Sequence, residues 1–159
     1  DVTLQQCLET FSACEELSKD DWVFCSKSGN FEKSLKKLDI WNSPEVLIIH
    51  LKRFGRERLT GPLEKIDTLV RFPMKLDLSP FVRGPGPKAQ HQFALYATVN
   101  HSGGLGGGHY TAYARVGDGL ERQWYHFNDS MATQAADSEV VSKASYILFY
   151  ERVRNTSAY

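Results

Sequence analysis

The residues with the most chemical potential lie in one stretch, His101-Ser102-Gly103-Gly104-Leu105-Gly106-Gly107-Gly108-His109-Tyr110. Five glycines in six residues give a backbone that can pass close to another chain. A phosphate cradle is the first chemistry to weigh, and it fails. A dinucleotide fingerprint needs glycines at i, i+2 and i+5, which no register supplies. The Walker pattern begun at Gly103 has His109 where its lysine belongs. The stretch also leads into a strand pattern rather than a helix N-terminus, so it lacks the free amides of an anion site. Two readings remain: a flexible hairpin connection, or a mobile loop that admits a substrate backbone and leaves His109 at its rim.

The strands after His109 favour the second. They turn at Gly117-Asp118-Gly119-Leu120 and return through Trp124-Tyr125-His126-Phe127-Asn128-Asp129-Ser130. Asp-Gly is a strong two-residue hairpin signal. If Asp118 and Gly119 form the turn, His109 lies opposite Asn128, with both side chains on one face. Asn128 could then accept a hydrogen bond from the imidazole and fix its tautomer. A longer turn through Leu120 and Glu121 shifts the register and could favour Asp129. A histidine held by an asparagine is the base and orienter of a cysteine-protease triad.

Such a pair needs a nucleophile. Cys7 sits on the apolar face of a helix pattern, Cys14 follows that helix, and Cys25 lies in a polar segment. None stands at a helix N-terminus beside a glycine turn, where a thiolate is stabilised. No Gly-x-Ser-x-Gly elbow occurs. The nucleophile is therefore expected outside these 159 residues. Of the other histidines, His126 reads as a sheet-packing residue, His50 as a satisfied core residue and His91 as a solvated strand end.

The elements that must position these residues follow from periodicity. Thr3 and Gln6 fit a capping box, and Leu4, Cys7, Leu8 and Phe11 recur with helical spacing, which predicts a helix over 3–13. Lys33–Trp41 is a candidate strand. Glu45–Phe54 is another, and its run Val46–Leu51 predicts a central strand buried on both faces. Residues 55–66 read as an exposed loop, and Leu69–Phe72 as a short strand stopped by Pro73. Strands are predicted over 91–101, 109–116, 122–129 and 145–153, with a short helix over 137–142 and a frayed end at Asn155–Tyr159. The pattern is α+β, mostly antiparallel sheet with a helix at its start.

Composition narrows the function. The chain is 42% hydrophobic and 24% charged, ordinary for a folded domain. Nineteen basic residues balance nineteen acidic ones, which argues against charge-driven binding to nucleic acid or to a membrane surface. No stretch approaches the roughly 18 apolar residues of a membrane span, and no signal-peptide pattern opens the sequence. An odd count of three cysteines suggests free thiols in a reducing compartment, cytoplasmic and/or nuclear.

With Gly107-Gly108-His109-Tyr110-Thr111-Ala112-Tyr113 and Trp124–Ser130, the chain closely resembles the ubiquitin-specific protease family at its His box. Other landmarks agree in order: Val2–Leu8, Leu38-Asp39-Ile40-Trp41, Leu47–Phe54, Phe72-Pro73 and Tyr146–Tyr150. The resemblance covers residues 2–153. It implies a papain-like fold and hydrolysis of the isopeptide or peptide bond after ubiquitin's C-terminal Gly-Gly, so that ubiquitin and ubiquitinated proteins are the expected partners. It implies that His109 is the general base, Asn128 the orienter and Asp129 an adjacent acidic residue that can assist. His101, Ser102, Gly103, Gly104, Gly106, Gly107, Gly108 and Tyr110 match the second blocking loop beside the ubiquitin-tail channel. Phe54 opens the place of the first, at residues 54–66.

Two departures stand out. The family's Cys box is absent, so residues 1–159 resemble only the C-terminal half of a catalytic domain, palm and part of the fingers. Such a half would be inactive alone and would pair with the N-terminal half. The competing readings are a non-catalytic module that grips ubiquitin or a partner, and a scaffold half that completes another protein's sheet. The family's fingers often hold zinc through two Cys-x-x-Cys pairs. Here the second reads Cys25-Ser26-Lys27-Ser28, and Ser28 is a poor zinc ligand. No cofactor is expected. Metal analysis of the purified protein is expected to return far less than one zinc per chain; stoichiometric zinc would overturn this reading of Ser28.

Overall fold

A computed structural model of the chain describes residues 1–55, 61–118 and 121–154. The expected turn residues Gly119 and Leu120, part of the expected loop at 55–66, and the expected frayed end lie outside the described residues.

The first elements are β1 (Val2–Thr3) and α1 (Leu4–Phe11). Thr3 caps the helix: its Oγ1 accepts from the Gln6 N–H at 3.2 Å, and the Gln6 Oε1 accepts from the Thr3 N–H at 2.9 Å. The helix stops earlier than its apolar spacing predicts. Ser12 takes the C-cap position, its hydroxyl donating to the Leu8 carbonyl at 2.7 Å. Three short strands follow on the exposed side, β2 (Glu15–Glu16), β3 (Val23–Cys25) and β4 (Asn30–Glu32). A fourth, β5 (Leu35–Lys36), is all the strand that forms in the segment 33–41, apart from a single bridge between Ile40 and Val82.

Next come β6 (Val46–His50), β7 (Phe54–Gly55), β8 (Glu64–Lys65), β9 (Val70–Arg71) and β10 (Lys75–Asp77). Then follow β11 (Gln92–Gly104), β12 (Gly107–Val116), β13 (Gln123–Asn128), β14 (Met131–Gln134), α2 (Asp137–Val140) and β15 (Ser145–Arg152). The main sheet has the order β14-β13-β12-β11-β15-β6, with β10 also pairing β11, and every pairing in it is antiparallel. β9 pairs in parallel with β1, which brings α1 to the sheet. Leu4, Phe93, Leu95, Leu148 and Tyr150 form the centre of the core. The Tyr150 hydroxyl reaches out of it to donate to the Pro73 carbonyl at 2.8 Å. This is the α+β, helix-first, antiparallel architecture expected from the periodicity.

Three expectations need correction. Strand β6 is not central but an edge, paired only with β15. Its run Val-Leu-Ile-Ile-His alternates exposed and half-buried residues, and Ile48 is 58% exposed. An unbroken apolar run predicts two buried faces; here, among the described residues, one face is uncovered. His50, expected in the core, is exposed on that strand, its ring 4.6 Å from Tyr146 edge to face. His91, expected in solvent, is buried because a hydrogen bond satisfies it: its Nδ1 lies 2.8 Å from the Ser43 hydroxyl.

The strand β14 had no forecast in the sequence; all four of its residues are exposed, so it carries no apolar alternation. No helix among the described residues is long and apolar enough to cross a membrane.

The contrast between core and open edge is measurable. Leu148→Ala is expected to cost about 3 kcal/mol in chemical denaturation, the usual loss for a fully buried leucine. Ile48→Lys on the uncovered face is expected to change stability by less than about 0.5 kcal/mol.

Candidate active site

His109 lies near the start of β12 and Asn128 ends β13. Their side chains meet, with His109 Nε2 and Asn128 Oδ1 2.6 Å apart. An amide oxygen only accepts, so Nε2 carries a proton, and in the neutral ring the lone pair is on Nδ1. Nδ1 belongs to an exposed side chain.

The pair forms although the turn differs from the two-residue form. Ala112 pairs with Phe127 and Val116 with Gln123, whereas a turn of Asp118 and Gly119 would pair Ala112 with Tyr125. The ladder has slipped by two residues. Side chains alternate with a period of two, so this slip keeps Asn128 on the His109 face. A slip of one would have presented Asp129 instead. Asp129 sits in the tight turn closed by Asn128 and Met131, with φ 49 in the left-handed region. The imidazole bond goes to Asn128, not to Asp129.

The glycine-rich stretch is a hairpin rather than a flexible loop. Ser102 pairs with His109, Gly103 with Gly108 and Gly104 with Gly107, leaving Leu105 and Gly106 at the tip. Glycine is required at only some of these positions. A Cβ on Gly108 would stand 2.1 Å from His101 Nε2 and 2.5 Å from the Ser102 carbonyl oxygen, whereas one on Gly107 would meet nothing. Gly103 has φ 102, a conformation that disfavours any side chain.

The His101 side chain is turned into the fold rather than out to solvent. It is 4% exposed, packed 4.7 Å from Tyr110 and 5.6 Å from Phe54, ring centre to ring centre. Tyr110 itself is exposed. Phe54 stands in β7, whose partner β8 makes the place of the first blocking loop a second hairpin. His126 stacks on Tyr113 at 4.6 Å, a packing role.

The sequence gives no signal for Lys65 on β8. Its ammonium donates to the His101 carbonyl at 2.8 Å, joining the two hairpins.

Cys25 and Ser28 lie at the β3–β4 hairpin. Hydrogen bonds from Ser28 and Lys27 hold the Cys25 thiol below its ordinary pKa. Among the described residues no cluster of three His, Cys, Asp or Glu side chains is placed to hold a metal.

Comparison with known proteins decides the family. The model for ubiquitin carboxyl-terminal hydrolase matches residues 2–150. The chain belongs to the ubiquitin carboxyl-terminal hydrolase family. Among relatives of this family, it is 46% identical over 155 residues to ubiquitin carboxyl-terminal hydrolase 9 of Arabidopsis thaliana. It is 44% identical over 154 residues to ubiquitin carboxyl-terminal hydrolase 15 of Homo sapiens. These matches span 97% and 95% of this chain, but only 16% and 15% of the relatives. The SAGA Ubp8/Sgf11/Sus1/Sgf73 DUB module bound to ubiquitin aldehyde is similar with a TM-score of 0.80 at 29% identity. That match covers 97% of this chain and 34% of the solved one. A yeast SAGA DUB module carrying a mutant Sgf73 gives 0.80 at 31%, covering 97% and 33%. The sheet and helix described above are thus the papain-like architecture of this hydrolase family.

The glycine contacts can be tested directly. Gly108→Ala is expected to lose about 2 kcal/mol or more of stability in thermal denaturation, as its methyl displaces His101 or the paired strand. Gly107→Ala, with open space around it, is expected to lose less than about 1 kcal/mol.

Proposed function

We propose that this chain supplies the base and orienter of a cysteine-type ubiquitinyl hydrolase, and that the thiol nucleophile comes from the N-terminal, Cys-bearing half of the domain. The observation that carries this reading is the 2.6 Å contact between His109 Nε2 and Asn128 Oδ1. It leaves Nδ1 as the basic nitrogen. Family membership supports ubiquitin as the ligand, and the solved relative bound to ubiquitin aldehyde supports it further.

In the assembled domain His109 Nδ1 takes the thiol proton. The thiolate attacks the carbonyl carbon of ubiquitin's last glycine and forms a tetrahedral intermediate. Collapse breaks the C–N bond as the imidazolium returns its proton to the leaving lysine amine, which leaves a thioester. His109 then deprotonates a water. The hydroxide attacks the thioester, and the carboxylate of ubiquitin and the free thiol are released. Asn128 takes no proton in either half; it holds the ring in one tautomer and one direction. Hairpins β7–β8 and β11–β12 stand where the family resemblance puts the two loops beside the ubiquitin tail, and the glycines of the second would let a tail without side chains pass close.

The uncovered edge supports the second half of the proposal. α1, β6 and β9 border an apolar cavity of about 590 Å³ lined by Leu4, Leu8, Ile49 and Val70, with exposed Phe11 and Ile48 at its margin. A domain half that brings the nucleophile to His109 has apolar surface here to bury.

A thiol-reactive ubiquitin probe tests the reading. It is expected to leave this chain alone unlabelled and to label the Cys-bearing half once the two are combined. His109→Ala is expected to lower turnover by about 10³-fold or more, within the range of general-base catalysis. Labelling of Cys7, Cys14 or Cys25 in the isolated chain, or unchanged turnover in His109→Ala, would overturn it.

A further inference from the structure

We infer that Lys65 is a positioning residue that ties β7–β8 to the β11–β12 hairpin beside the proposed tail channel, so that the two behave as one cooperative unit. This inference rests on the channel reading above. In an antiparallel strand the N–H and C=O of one residue point to the same side. At His101 that side is β15: its N–H donates to the Ala144 carbonyl at 2.8 Å, just before β15 begins at Ser145. The neighbouring strand is ending, so the His101 carbonyl has no ladder partner there. An unpaired carbonyl in so covered a place is costly.

Lys65 fills the vacancy from a different hairpin. It stands on β8, opposite Phe54 on β7. Its side chain is only 10% exposed, and its ammonium donates to the His101 carbonyl oxygen at 2.8 Å. Its other contact, the Asp67 carboxylate with Oδ1 at 3.4 Å, lies on an exposed side chain and is the weaker of the two. A buried cation whose short bond is to a main-chain carbonyl has a geometric task rather than a charge-pairing one.

The ring beside that carbonyl repeats the link. His101 packs on Phe54 from the first hairpin and on Tyr110 from the second, and its Nε2 fills the space that a Gly108 side chain would need. Pulling β7–β8 away from the sheet therefore strips both the cap from the His101 carbonyl and the packing from the His101 ring. His109 follows Gly108 directly. The position of the first hairpin is in this way transmitted to the strand that carries the proposed base.

Hydrogen exchange and steady-state kinetics on the assembled domain test this, using Lys65→Met, which keeps the buried stem and removes the donor. In the parent protein, amides of Glu64–Ile66 and Ser102–His109 are expected to exchange with one shared opening constant. In Lys65→Met the two sets are expected to separate, with Ser102–His109 exchanging about tenfold faster. Lys65→Arg, a cation of similar reach, is expected to restore most of the coupling. With a ubiquitin amide substrate, Lys65→Met is expected to raise KM about fivefold and to leave kcat within about twofold, the pattern of lost binding geometry. If Lys65→Met fails to fold, Lys65→Gln takes its place. Shared exchange behaviour that survives loss of the ammonium would overturn the inference, as would an equal fall in kcat with unchanged KM. A parent domain that hydrolyses nothing sinks the hydrolase reading alone, because the exchange comparison still decides the coupling.

Discussion

Strand β11 is the constraint from which the rest of the molecule is hung. It pairs with β15 along one edge and with β10 and then β12 along the other, and Phe93 and Leu95 on it are fully buried. Its length matters more than its composition. The strand continues past the end of β15, so its last residues, Ser102 to Gly104, stand out from the core as one arm of the glycine hairpin. That overhang places His109 where nothing among the described residues covers it, while its backbone is still registered by the main ladder. A site so built is rigid in position and open in access.

A second constraint operates across β12 and β13, and it is one of parity rather than distance. His109 and Asn128 meet because side chains on paired strands repeat every second residue. The sequence made this parity legible, although it misjudged the turn that produces it. The hairpin closes two residues away from the register that Asp-Gly suggests, and the face relationship survives because two is the period. The choice between Asn128 and Asp129, open on sequence grounds, is thus resolved geometrically in favour of Asn128 as the ring's hydrogen-bond partner.

Other features were legible for similar local reasons. Thr3 and Gln6 announce a helix start because both halves of the capping interaction lie within four residues. The order of strands around the His box follows from hydrophobic alternation. The misread features all depend on long-range neighbours. His50 and His91 exchange their expected environments because burial of a histidine is decided by its partner: Ser43 for His91, nothing comparable for His50. The strand β6 reads as central from its apolar content, yet sheet order leaves it at an edge. Lys65 lies in a charged segment without alternation, and only the tertiary approach of β8 to β11 gives it a partner.

The β6 edge has a consequence outside catalysis. Its run Val46-Leu47-Ile48-Ile49 combines high β-propensity with no charge, no proline and a row of backbone groups that nothing among the described residues pairs. Native proteins usually blunt such edges with a lysine, a bulge or a covering element. Until something covers it, the strand can pair with the same strand of another copy, the first step toward a sheet that grows without end. Covering this edge and self-association therefore compete for the same row of backbone groups, and whichever is faster decides how much of the domain stays in usable form.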